Sequence, residues 1–157
     1  MNKVTVGVKA GVVSGAIYGI IIAPITYITL IFLKEDIMSS IIASLPPDSS
    51  IIVEQAYNIV LLIGPIFAFI TGIILGLIFG IIYGWAYDKI PGRTSMIKGI
   101  VFGIILWLIF SVLLGSGNLQ YSVTYYLYGL GEGLITSLIF GLLLGFFYNR
   151  FIPKTAG

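Results

Sequence analysis

Charged residues fall in short clusters along the chain, and the stretches between them are almost wholly apolar. Ala10 to Leu33 carries no charge and ends on Lys34-Glu35-Asp36. Gln55 to Tyr87 is a second uncharged run, bounded by Glu54 and Asp88. Gly99 to Gly131 is a third, divided by Gly115-Ser116-Gly117-Asn118, and Gly133 to Asn149 is a fourth, between Glu132 and Arg150. A helix rises 1.5 Å per residue and the hydrocarbon core of a bilayer is about 30 Å thick, so about 20 apolar residues make one crossing. The pattern predicts four spanning helices, over about 10–33, 57–87, 98–115 and 131–149, with outer loops 34–56 and 116–130 and an inner loop 88–97. The second run exceeds one crossing and should tilt, kink or protrude. The first run follows Lys3 and Lys9 but is too long for a typical signal-peptide core and lacks a convincing small-x-small cleavage site, so it reads as a retained span.

Composition agrees with this architecture. Of 157 residues, 59% are hydrophobic and 9% charged, with a mean hydropathy of +1.12. A soluble domain carries about 25% charged residues and could not cover its surface with so few. The expected fold is all-α, a single integral membrane four-helix bundle over 1–157. The absence of Cys and His excludes disulfides, thiolate chemistry, imidazole-ligated metals and His-based acid–base catalysis. No cofactor is expected, no metal, and no nucleic-acid partner; the bilayer is the first partner.

The side on which charge falls predicts direction. Four crossings put the N-terminus, loop 88–97 and the C-terminus on one side, with Lys3, Lys9, Lys89, Arg93, Lys98, Arg150 and Lys154 against Asp88 alone. The opposite side carries Glu35, Asp36, Asp48, Glu54 and Glu132 against Lys34 alone. Retention of Lys and Arg in the cytoplasm makes both termini cytoplasmic and the location the cell membrane. Tyr83, Trp85, Tyr87 and Tyr148 near one boundary, and Tyr121, Tyr125, Tyr126 and Tyr128 near the other, read as interfacial anchors. Trp107 falls inside the third span and requires a packing or hydrogen-bonding partner.

The chain also matches itself. An offset of 65 residues superposes the second span on the fourth through Gln55/Gln120, Leu62/Leu127, Gly64/Gly129, Thr71/Thr136, Gly76/Gly141, Gly80/Gly145 and Tyr83/Tyr148, among others. An offset of 88 superposes the first on the third through Gly11/Gly99, Val13/Val101, Gly15/Gly103 and Ile17/Ile105. Two helical hairpins of the same orientation follow, as parallel repeats about an axis along the membrane normal.

Small residues recur every fourth position. Gly7, Gly11, Gly15 and Gly19 mark the first span, and Gly72, Gly76, Gly80 and Gly84 the second. Ser95, Gly99 and Gly103 mark the third, and Ser137, Gly141 and Gly145 the fourth. Four residues turn a helix by about 400°, so each row makes a slowly drifting groove. Lipid removes the hydrophobic drive for helix association, leaving close backbone approach, which glycine permits. These glycine-zipper faces join helices within the bundle, or one of them faces outward and makes a homo-oligomer or meets other membrane subunits.

The middle of every span lacks ionisable groups, which argues against carboxylate relays, voltage sensing and hydrolysis. Glu132, in Leu130-Gly131-Glu132-Gly133, is the candidate polar site. Its flanking glycines open the helix toward a cavity, or it is a carboxylate at a helix start favoured by the macrodipole. Pro24 and Pro65 each remove a backbone donor; Thr26, Thr29, Thr71, Ser111 and Thr136 could satisfy the freed groups or line a polar path. Ile37, Ile41, Ile42 and Leu45, before Pro46-Pro47, have helical spacing and suggest an amphipathic helix on the membrane surface or docked on the bundle. Ile90-Pro91-Gly92-Arg93 reads as a tight turn, with Thr94 or Ser95 capping the third helix.

The stretch Gly80-Ile81-Ile82-Tyr83-Gly84, Tyr87-Asp88-Lys89-Ile90-Pro91-Gly92, Lys98-Gly99, Phe102-Gly103 and Trp107 resembles small glycine-rich multi-span membrane proteins of archaea. That resemblance implies no activity and no site residues. The sequence leads to a non-enzymatic structural or accessory subunit, or self-associating scaffold, packed through its glycine stripes. The alternative is a channel or transporter for a small neutral or apolar solute or lipid at the repeat interface.

Overall fold

A computed structural model describes residues 2–46, 52–116 and 123–153, the side chains of Thr124 and Tyr125 excepted. Pro47, Asp48, Gly117, Asn118, Gln120, Tyr121 and Lys154 lie outside the described residues, as does the Tyr125 side chain. Regular structure among the described residues is helical throughout. Helix α1 (Lys3–Phe32) begins where the Asn2 side chain accepts the Val4 N–H, well before Ala10. Leu33 breaks the chain direction, and α2 (Lys34–Ser44) follows with Glu35 and Asp36 in its first turn, where the helix dipole favours them. It stops at Leu45, whose extended backbone suits the following proline.

Helix α3 (Val53–Ala86) has 34 residues and is about 51 Å long at 1.5 Å per residue, well over one bilayer crossing. Gly92, at φ 145°, makes the reversal that a side chain would obstruct. Thr94, not Ser95, then caps α4 (Ser95–Trp107) by accepting the Ile97 N–H. From Leu108 to Leu114 the helix widens to π geometry. The last element, α5 (Val123–Phe151), starts well before the predicted fourth span. Lys3–Phe32, Val53–Ala86, Ser95–Leu114 and Tyr126–Phe151 are all long and apolar enough to cross a membrane. The described chain is therefore an all-helical bundle with the character of a multi-pass membrane protein.

Helices α1 and α3 run antiparallel in close contact, as do α4 and α5, and α1 also packs on α5. The backbones of α3 and α4 scarcely approach one another. Aromatic side chains fill the space between them: Phe79 meets Phe102 and Phe110 edge-on, and Tyr83 meets Phe102. The buried core gathers toward the end bearing the chain termini, around Val6, Ala10, Tyr83, Phe102, Leu144 and Tyr148.

Candidate functional site

Two features distinguish this bundle, a pair of glycine seams and a group of three neighbouring cavities. In the α1–α3 seam Gly7, Gly11 and Gly15 lie against Gly84, Gly80 and Gly76, and Gly19 against Phe69. A Cβ added to Gly76 would stand 2.6 Å from the Gly15 Cα, and one on Gly11 would stand 2.7 Å from the Gly80 Cα. No side chain larger than hydrogen fits without separating the two backbones. Gly72 completes the row against Gly15 and Gly19. In the α4–α5 seam Gly99 lies against Gly141 and Gly145, and Gly103 against Ser137 and Gly141. Every glycine of the four rows thus meets backbone of its own hairpin.

The second feature lies on the α1–α5 seam, at the end away from the termini. Spacing of four residues sets Tyr128, Glu132, Thr136 and Phe140 on one face of α5, and this face meets α1. Tyr128 Oη and Thr29 Oγ1 are 3.2 Å apart, and the Phe140 ring meets Tyr18 edge-on at 5.4 Å. A cleft of about 710 Å³ opens among Thr26 and Thr29 of α1, Asp36 and Ser40 of α2, and Glu132. On the other flank of Glu132 is a groove of about 390 Å³, with Ile25, Leu127, Tyr128, Ile135 and Thr136. Thr136 also lines a third cavity of about 240 Å³, with Tyr18, Phe79, Phe110, Ser111 and Ser137. Glu132 therefore stands in the wall of the first two spaces and Thr136 in that of the last two, along the line where the hairpins meet.

No Lys or Arg lines any of these three spaces. Lys34 turns instead toward Glu54, 3.9 Å away, and over the Tyr57 ring. Glu132 and Asp36 have no basic partner among the described residues.

The sequence profile of DUF6789, described as a family of unknown function, matches residues 1–156. The chain belongs to that family. No curated protein and no solved structure matches it.

Several residues of this DUF6789 chain sit otherwise than the sequence pattern suggests. Glu132 is at neither a helix start nor a helix opening, because α5 begins at Val123 and runs through Gly131 and Gly133 without a break. Gly133 serves a neighbour: a Cβ there would strike the Ser111 side chain, so its absence admits the π segment. Trp107 finds its partner at the same level, donating from Nε1 to the Leu130 carbonyl at 3.0 Å. Pro24 and Pro65 lie inside continuous helices and line none of the three cavities. Helix α2 does form, and one of its faces walls the cleft, touching α3 and α1.

The opposite end of the bundle is closed. Tyr83 and Tyr148 are fully buried, whereas the interfacial pattern predicted anchors; they cross edge-on at 5.1 Å, and Tyr87 stacks on Tyr148 at 4.4 Å. Tyr83 Oη donates to the Ser95 carbonyl at 2.7 Å, and Lys98 Nζ donates to the Tyr87 carbonyl at 2.6 Å. Trp85 alone of that group keeps an anchor's exposure, at 68%, with Lys89 over its ring. At the surface, Nζ of Lys3 in the first turn of α1 and the Asp88 carboxylate pair at 2.6 Å and tie α1 to the end of α3. The Lys3 hydrogen bond holds the Asp88 carboxyl below the usual aspartate value.

Proposed function

We propose that the chain is a non-enzymatic cell-membrane protein with cytoplasmic termini, and that it takes a small solute from outside into the cavities between two repeated hairpins. The observation that carries this reading is the row of three neighbouring cavities that share Glu132 and Thr136 in their walls, with the Tyr83, Tyr87 and Tyr148 rings packed together at the opposite end of the bundle. In proteins built from parallel repeats, the pathway lies where the repeats meet.

The glycine contacts support the duplication. Gly11 against Gly76 and Gly80 becomes, at the offsets of 88 and 65, Gly99 against Gly141 and Gly145. Gly15 against Gly72 becomes Gly103 against Ser137 by the same shifts. Charge supports the orientation, since the sealed end carries the basic residues.

A subunit or scaffold role is the second reading. Because both glycine seams are engaged within one chain, such self-association would use the lipid-facing Ile and Leu side chains instead. Native mass spectrometry from mild detergent tests it, and a discrete oligomer or a fixed partner would favour it.

Proteoliposome swelling with a graded series of small solutes tests the first reading. Flux should occur and should fall to the empty-liposome level in Thr136→Phe, which puts a ring where two cavities share a wall. No flux from the native chain, or equal flux from the variant, would overturn it.

A further inference from the structure

We propose that the occupant of this site is an amphipathic organic cation, an ammonium head with an alkyl tail, held by Glu132. The inference rests on the solute-site reading above and gives that site its chemical class.

The first argument is charge. A carboxylate placed inside a membrane helix is costly and persists where something compensates it. Glu132 is partly buried in the wall shared by two of the cavities, with hydroxyl groups around it and no basic side chain. Asp36 adds a second negative charge to the same cleft. A neutral solute would leave Glu132 unpaired and an anion would be repelled; a cation answers both carboxylates. A bare metal ion is a poorer fit, because no group of three acidic or other metal-ligating side chains occurs among the described residues. Hard cations bind through several oxygen ligands at once.

The second argument is shape, and it is independent of charge. The two spaces beside Glu132 differ in degree. In the cleft the hydroxyls of Thr26, Thr29 and Ser40 stand among Leu30, Ile37 and Ile41; the groove is the more apolar of the two, with Ile25, Leu127 and Ile135 beside Tyr128 and Thr136. Leu127 and Ile135 are each 60% exposed, so the apolar groove opens sideways, toward the acyl chains of a surrounding bilayer. A head in the wet cleft and a tail in this groove would occupy both halves of the site at once. Tyr128 borders the groove with its hydroxyl beside that of Thr29, which leaves the ring, rather than the hydroxyl, for the ligand. Ammonium groups are attracted to such ring faces. The tail also provides a route of entry, since an alkylammonium partitions into the outer leaflet and can slide in without leaving lipid.

The test is equilibrium dialysis of labelled octyltrimethylammonium against the full chain in neutral-lipid nanodiscs, with empty nanodiscs subtracted. Saturable binding of one molecule per chain is expected. Glu132→Gln should weaken it about tenfold, the order expected when one ion-pair attraction is lost from a partly buried site, while Glu132→Asp retains most of it. Octanol, with the same tail and no charge, should bind far more weakly and respond to neither change. Ile135→Trp, which narrows the groove from its exposed side, should weaken octyltrimethylammonium more than tetramethylammonium. Undiminished binding in Glu132→Gln, or octanol binding as tightly as the ammonium, would overturn the proposal. If solutes still permeate liposomes while octyltrimethylammonium fails to bind, the solute site stands and its cation class falls. If nothing permeates and nothing binds, both fall. Helical circular dichroism and a monodisperse elution profile for each variant separate loss of binding from loss of fold.

Discussion

Two tyrosines that look alike in the sequence do different physical work. Tyr83 and Tyr148 occupy matching positions, and both rings are buried in the same cluster. The Tyr83 hydroxyl ends on the Ser95 carbonyl, joining α3 to the start of α4. The Tyr148 hydroxyl has no protein partner among the described residues. Tyr83→Phe should therefore destabilise the bundle by about 1 kcal/mol, the usual worth of such a bond. Tyr148→Phe should be neutral or stabilising, because it removes a buried polar group that gains nothing. Unfolding from mixed micelles by graded SDS measures both, and equal losses would contradict the assignment. At the surface, Asp88 titrates below its ordinary value because of Lys3. A depressed folded-state value means that the pair adds stability at neutral pH and loses it as pH falls through that lowered value. Carbon-13 NMR of the Asp88 carboxyl should show its midpoint move up in Lys3→Met.

At the level of helices, the glycines divide into those that touch and those that do not. A Cβ on Gly76 would stand only 2.6 Å from the Gly15 Cα, whereas one on Gly129 or Gly131 would meet nothing within 4 Å. Gly76→Ile should cost at least about 3 kcal/mol by forcing two backbones apart. Gly129→Ala should instead stabilise by about 0.5–1 kcal/mol, since it removes only the entropic cost of glycine in a helix. The same SDS titration distinguishes them by sign. The spacing of four was readable without coordinates, because it makes a groove on any helix. Which residue would face each groove was not, since spacing says nothing of the partner. The π segment was equally invisible: Leu108 to Leu114 is as apolar as any neighbouring stretch, and its widening accompanies the fit of Ser111 against Gly133.

For the whole molecule, the testable claim is direction. Single cysteines at Asn2 and Lys154, introduced into a chain that has no Cys of its own, should resist an impermeant maleimide in intact cells. Both should react once the membrane is opened. Labelling of either from outside would invert the orientation and turn the Glu132 cleft toward the cytoplasm. The cavities also depend on the whole: α1, α2 and α5 each supply one wall of the cleft.

Hydropathy alone determined that this chain makes four long apolar helices, because a bilayer imposes one requirement, sustained apolarity, on every crossing. Glycine spacing likewise marked the helix faces able to approach closely. Tertiary structure decided the rest. It paired the faces within hairpins, turned Tyr83 and Tyr148 from the expected interface into the core, and set Glu132 inside a helix in the wall of two cavities. Those outcomes depend on which side chains meet across helices far apart in sequence. Apolar periodicity reports only the solvent a residue prefers, and in lipid, side chains facing the bilayer and those facing a neighbouring helix prefer the same one.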